Sequence, residues 1–279
     1  MSVPNGSPPR GSVPRGSVPR GRRAVLAGTL ALLSAGPLTG AGPLPAGLRD
    51  LWPDGTTVVR GRDSVVAGHH VPPAVLRDLA ARADRACRTV AAVWGPVRAV
   101  VLFPATDAEA AALAGARATP APASLAALAT ADRVVVLPSG YARLTETGRD
   151  VVITHELVHV ATGATRGGRV PMWLSEGFAD YAGYRDAGLP VRTVAAELAA
   201  EVRAGVLPAR LPVAADFAPG AARLAQAYEE AWLACAFVAE HFGEKALTRL
   251  YGSDVGSTLG LSAAGFTRAW RDYLRRELG

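Results

Sequence analysis

The spacing of apolar positions changes about halfway along the chain. Before residue 140, short runs of β-branched and apolar residues lie between Gly and Pro; beyond it, nearly every segment repeats its apolar positions every three or four residues. Residues 56–60 and 64–67 are two such runs, parted by Gly61, Arg62 and Asp63, which predicts a hairpin. Pro72 and Pro73 open a helix that carries Leu76, Leu79, Ala83, Cys87, Val90 and Val93 on one face and stops at Gly95-Pro96. The apolar run 97–103 predicts a buried strand, Thr106 starts a short helix, and 116–122 is a Pro- and Ala-rich loop. The next strand is 133–137, ended by Pro138-Ser-Gly140. Helical periods then cover about 150–163, 173–187, 191–204, 221–242, 244–251 and 261–277. Strands first and helices after predict an α+β domain with a mixed or antiparallel sheet and a helical C-terminal part.

Composition adds a location rather than a partner. The 279 residues are 49% hydrophobic and 19% charged, which excludes a disordered or collagen-like chain and leaves enough length for a sizeable core. The net charge of +6 suggests nucleic acid until it is mapped. Residues 1–46 hold Arg10, Arg15, Arg20, Arg22 and Arg23 and no acid, so the remainder carries 25 basic against 24 acidic residues. A nucleic-acid partner therefore loses its support. Residues 1–21 repeat Gly-Ser-Val-Pro-Arg without apolar period and are expected to be disordered. Arg22-Arg23, the apolar run 24–33 and the small residues around Pro37 then read as a secretory signal, similar to a twin-arginine export signal. A retained N-terminal membrane anchor is the alternative, and either places the domain at 47–279 outside the cytoplasm. Cys87 and Cys235 are the only cysteines; export permits a disulfide, while two buried free thiols are the reading preferred here.

The chemistry concentrates in one segment. Val151 to Val160 contains His155-Glu156-Leu-Val-His159, and on a helix residues four apart stand one turn above each other, so both imidazoles reach one point. That point can hold Zn²⁺ at about 2.0–2.1 Å from each nitrogen. Glu156 projects about 100° around the helix from His155, within reach of a water held there. With five His and eleven Glu in the chain, chance supplies roughly 0.003 such motifs. Thr162 and Thr165 stand where a metzincin has Gly and His, which excludes that class. On the next predicted helix, Trp173-Leu-Ser-Glu176-Gly-Phe-Ala-Asp180-Tyr supplies Glu176 as a third ligand, leaving one position for water.

These two segments resemble the gluzincin zinc metallopeptidases, in particular the compact bacterial Peptidase MA-like branch. The likeness is strongest over 132–187 and extends more weakly to Ala227-Tyr228 and to Phe266, Trp270, Tyr273 and Leu274. It implies a zincin fold, a small mixed sheet packed on the active-site helix with the third ligand from the following helix. It implies that Asp180 accepts the distal N–H of a ligand His, here His155. It places Tyr228 as donor to the developing oxyanion, although a packed core tyrosine fits the same pattern, and Tyr181 and Tyr184 are rivals for the role. It also makes 133–137 the edge strand that holds extended substrate, with a wholly covered sheet strand as the alternative. The Gly-x-Met-Glu-Asn stretch of aminopeptidase-type gluzincins is absent, which points away from aminopeptidase activity.

The expected function is a secreted or surface-anchored zinc endopeptidase acting on peptide or protein substrates, with Glu156 as general base. The alternative is a zinc-bearing binding module of the cell envelope without turnover. His69, His70 and His241 have no partner at ligand spacing and are expected to be exposed or capping residues, and Glu229 and Glu230 a solvated helix start. Oligomeric state is not legible.

Overall fold

Strand pairing follows the chain closely at first. In the computed structural model, which describes residues 47–279 apart from 49, 53, 116–124 and 168–169, β1 (Thr56–Arg60) and β2 (Ser64–His69) form the predicted hairpin with Val58 opposite Ala67. The leader at 1–46, with its export signal or anchor, lies outside the described residues. Helix α1 (Pro73–Val93) starts on Pro73, whose missing N–H costs nothing in the first turn, and crosses back to β3 (Ala99–Phe103), parallel to β2. After α2 (Asp107–Leu113), whose Thr106 hydroxyl caps the Glu109 N–H, come β4 (Ala127–Ala129) and β5 (Val134–Val136), an antiparallel pair. The five strands lie in the order β1-β2-β3-β5-β4, a mixed sheet.

That order corrects the expected edge. Residues 134–136 pair with β3 on one side and β4 on the other, so the Val-rich strand is interior and the edge is β4. The physical reason is burial: Val134, Val135 and Val136 are fully covered on both faces, where β-branched side chains pack best, while the short Ala-rich strand sits outside. Val66, Val101, Val134 and Val136 face the main core; Ala67, Leu102 and Val135 face a smaller one with Leu48, Trp52 and Ala110.

Helices make up the rest. They are α3 (Pro138–Ala142), α4 (Glu146–Thr162), α5 (Met172–Tyr184), α6 (Val191–Val194), α7 (Ala196–Arg203), α8 (Leu224–Phe242), α9 (Glu244–Leu250), α10 (Val255–Leu259) and α11 (Ala263–Leu278). The protein is thus α+β, with the sheet first and the helical part after it. Helix α4 begins a turn before its predicted start because Thr145 caps the Gly148 N–H at 3.1 Å, and it ends on Gly163 at φ 70°. The predicted helix 191–204 is broken at Ala195, a break that no Gly or Pro announces. Among the described residues no helix is long and apolar enough to cross a membrane.

Helix α5 lies against both α4 and α8. A Cβ at Gly177 would fall 2.2 Å from the Ala231 carbonyl oxygen of α8, and one at Gly183 would fall 3.1 Å from the Val151 carbonyl oxygen of α4. Only glycine at 177 permits that approach of two backbones. Helix α1 is tied to α4 by Arg82, a buried guanidinium that donates to Asp78, Glu146 and Asp150. Cys87 and Cys235 are buried free thiols, as preferred, and burial pushes the Cys87 thiol up to about 12.

Two further expectations are overturned. Glu229 and Glu230 are buried rather than solvated. Glu230 accepts from Arg223 at 2.8 Å and Glu229 accepts the Leu198 N–H of α7 at 2.7 Å, so α8 starts at the surface and is buried from its second turn. His69 is buried as well, between Asp54 and Glu109, because it shares the inward face of β2 with Val65 and Ala67. His70 and His241 are exposed, as expected.

Burial, followed by the hydrogen bond to Glu197, pushes the Glu229 carboxyl up to about 8 from its ordinary 4.5. The folded state therefore holds a proton that the unfolded chain has released, and stability declines as pH rises from about 4.5 to about 8. Glu229→Gln keeps both an acceptor for Leu198 and a donor for Glu197. Its melting temperature is expected to fall less between pH 5 and pH 8 than that of the wild type, by about the loss of one titrating group; equal slopes would refute the assignment.

Candidate metal centre

Helix α4 carries His155 and His159 one turn apart, and α5 brings Glu176 against them. The two Nε2 atoms are 3.1 Å apart, and Glu176 Oε2 lies 3.5 Å from that of His155 and 3.4 Å from that of His159. Such a convergence is held either by protons shared among the three groups or by a cation in their midst. The donor set, two imidazoles and one carboxylate from adjacent helices, can hold a metal ion. Burial alone would raise the Glu176 carboxyl, but the two imidazoles beside it win and hold it well below the usual carboxylate range.

The surroundings fix one ligand more firmly than the other. His155 Nδ1–H donates to Asp180 Oδ1 at 2.7 Å, so its Nε2 is left facing His159 and Glu176. Burial works against a charged His155, yet Asp180 outweighs it and raises that imidazole well above 6.5. Asp180 stands one helical turn after Glu176, on the same face of α5, as the sequence placed it. His159 Nδ1 is buried and has no hydrogen-bond partner among the described residues. Its orientation rests on packing within α4 and on the edge-on contact with the His155 ring, 4.8 Å between centroids at 79°.

Glu156 is buried in the same wall, and desolvation raises its carboxyl above the ordinary 4.5 against the pull of both imidazoles. The backbone N–H of Ala129, on β4, acts on it from the other side. These groups open onto a cleft of about 710 Å³. Its lining includes Leu125, Ala126 and Ala127, which lead into β4, and Tyr184, Leu189 and Tyr228.

The three tyrosines separate here. Tyr181 donates to Glu244 at 2.7 Å and is committed elsewhere. Tyr184 lines the cleft but packs its ring on Trp232, and burial pushes its hydroxyl up to about 12. Tyr228 lines the same cleft from α8 with its ring edge-on to Phe217; burial raises its hydroxyl, and the carboxylates of Glu176, Asp180 and Glu156 raise it further. All six site residues expected from the sequence thus meet at one place: His155, Glu156, His159, Glu176, Asp180 and Tyr228. What sequence reasoning missed is β4, whose Leu-Ala-Ala-Leu-Ala run at 125–129 has too little β-branching to announce a strand.

Compared with family models, with curated proteins and with solved structures, the chain matches none.

If Asp180 works through His155, Asp180→Asn should weaken divalent-metal affinity about 10- to 100-fold while the metal-loaded protein keeps its circular dichroism and melting profile. A lowered melting temperature of the metal-free protein with unchanged metal affinity would make Asp180 a purely structural residue.

Proposed function

We propose that this chain is a zinc-dependent endopeptidase of the gluzincin type. The observation that carries the reading is the convergence of His155 Nε2, His159 Nε2 and Glu176 Oε2 within 3.5 Å beside a buried Glu156, where His155 and Glu156 line a cleft next to β4, the outermost of the described strands. Two nitrogens and one carboxylate oxygen suit Zn²⁺ in a site that keeps one position free. A zinc held there supplies a Lewis acid that polarises a peptide carbonyl and makes a water more acidic.

The chain's own groups divide the remaining work. Glu156 takes the proton from the attacking water and returns it to the leaving amine, a shuttle suited to a carboxyl raised by burial toward neutral pH. Tyr228, kept protonated by burial and by its acidic neighbours, donates to the oxyanion as the carbonyl becomes tetrahedral. Asp180 holds the Nδ1 proton of His155, so that His155 presents Nε2 with its ring direction fixed. Strand β4, the edge of the sheet among the described residues, offers that edge to an extended peptide, which then lies along the cleft with backbone hydrogen bonds to the strand. This assigns to β4 the role first expected of 133–137. The Glu156 position also favours turnover over the zinc-bearing binding module, since a metal held only for structure needs no buried carboxylate beside its ligands.

The likeness of 132–187 to Peptidase MA-like gluzincins supports the same reading, and the basic leader supports secretion or N-terminal anchoring. Peptides and proteins outside the cytoplasm are the substrate class that follows.

Binding and turnover should separate cleanly. Glu156→Gln is expected to retain zinc and fold yet lose hydrolysis of a peptide library, whereas His159→Ala should lose the zinc of this centre. A wild-type protein that holds zinc and cleaves nothing would replace the peptidase with the binding module. Tyr228→Phe should lower kcat by about 10²-fold with little change in KM, the cost of one oxyanion donor; a KM effect alone would return Tyr228 to a packing role.

A further inference from the structure

A second set of acceptors converges on the opposite face of the sheet. His69 ends β2 with its side chain on the face of Ala67 and Val65, away from α4, where it stacks on Trp52 at 5.2 Å and 8° between ring planes. Its Nδ1 meets Glu109 Oε2 at 2.7 Å, and Glu109 is itself fixed by the Ala105 N–H at 3.1 Å. Its Nε2 meets Asp54 Oδ1 at 3.0 Å. The next residue, His70, turns its Nε2 to the other oxygen of the same carboxylate, Oδ2, at 3.2 Å. We propose that Asp54, His69 and His70 form a second metal site, for a borderline divalent cation such as zinc.

Three features support it. Ligand atoms of all three residues lie within 4.8 Å of one another, the same measure that His155, His159 and Glu176 satisfy. The Glu109 carboxylate on His69 Nδ1 repeats the relation of Asp180 to His155: it fixes the tautomer and leaves Nε2 toward the cluster. His70 is the one non-glycine among the described residues with positive φ, 54°, a conformation that costs a side chain energy and that places its imidazole beside Asp54. A proton shared between His69 and its two carboxylates would account for His69 alone; it gives no reason for the second imidazole. Two nitrogens and a carboxylate select zinc and its neighbours over Ca²⁺ or Mg²⁺, and the exposure of Asp54 and His70 leaves room for water to complete the coordination. Such an ion fastens the segment before β1, with Trp52 and Asp54, to the end of β2.

The test is equilibrium dialysis of the full chain against zinc alone, followed by elemental analysis. The wild type should hold two zinc ions per chain, the His155→Ala/His159→Ala variant one, and that variant with His70→Ala added none. Asp54→Asn and His70→Ala alter exposed side chains, so in the otherwise native chain each should lower the count from two to one, while His241→Ala, an exposed imidazole outside both clusters, should leave it at two. Glu109→Gln should weaken the second site about 10- to 100-fold without touching the first. Zinc should also raise the melting temperature of the His155→Ala/His159→Ala variant but not of the same protein carrying His70→Ala. A count unchanged by Asp54→Asn and His70→Ala overturns the proposal, whether or not the first centre binds. So does a folded His155→Ala/His159→Ala protein that holds no zinc.

Discussion

The candidate metal centre depends on how closely α5 can approach its neighbours. Gly177 lets the α5 backbone meet that of α8 at Ala231, and Gly183 lets it meet that of α4 at Val151. Glu176 and Asp180 stand on the helix so positioned, which is why a carboxylate oxygen comes within 3.5 Å of two imidazoles and a second carboxylate within 2.7 Å of one of them. A side chain at 177 would push α5 off α8 or force both backbones to shift, and in a close-packed interior such overpacking typically costs about 1–3 kcal/mol. The ligand set is thus a consequence of helix packing as much as of the residues that compose it.

Ionisable groups are buried around this frame, and each is hydrogen-bonded. Arg82 anchors α1 to the first turns of α4; Glu230 with Arg223 and Glu229 with the Leu198 N–H anchor α8 to its surroundings. An unpaired charge in these positions would be prohibitive, so each is met by hydrogen bonds of fixed direction. Direction is what hydrophobic contact lacks. These links therefore hold the helices that bear His155, His159 and Tyr228 in a single arrangement. The cleft itself keeps its carboxylates close together, a cost that the neighbouring imidazoles offset.

The site was legible because its chemistry is local. His155, Glu156 and His159 lie within five residues, and Glu176 and Asp180 within another five, so helical geometry alone predicts which of them share a face. Tyr228 came from resemblance and from nothing in its own neighbourhood, since an aromatic at helical spacing reads equally as core. His69 was misjudged for the complementary reason: its partners, Asp54 and Glu109, stand 15 and 40 residues away and no spacing rule connects them. Glu229 and Glu230 misled because a pair of adjacent acids reads as solvated wherever nothing in the sequence reveals a partner such as Arg223 or the Leu198 N–H.

Sequence by itself determined the longer elements and their type, while β4, α3, α10 and the break at Ala195 escaped it. Proline and glycine punctuation set the limits of α1 and the end of α4, and the change of apolar period divided sheet from helices. Only the tertiary structure decided the order of the strands. The three valines of β5 were read as an edge, but a strand apolar on both faces gains most when covered on both sides, and that drew it between β3 and β4. The edge fell instead to the alanine-rich β4, whose weak side chains leave no periodic trace. Pattern reports how much apolar surface a segment must bury; which neighbour buries it is a competition among all segments, and that is settled only when they pack.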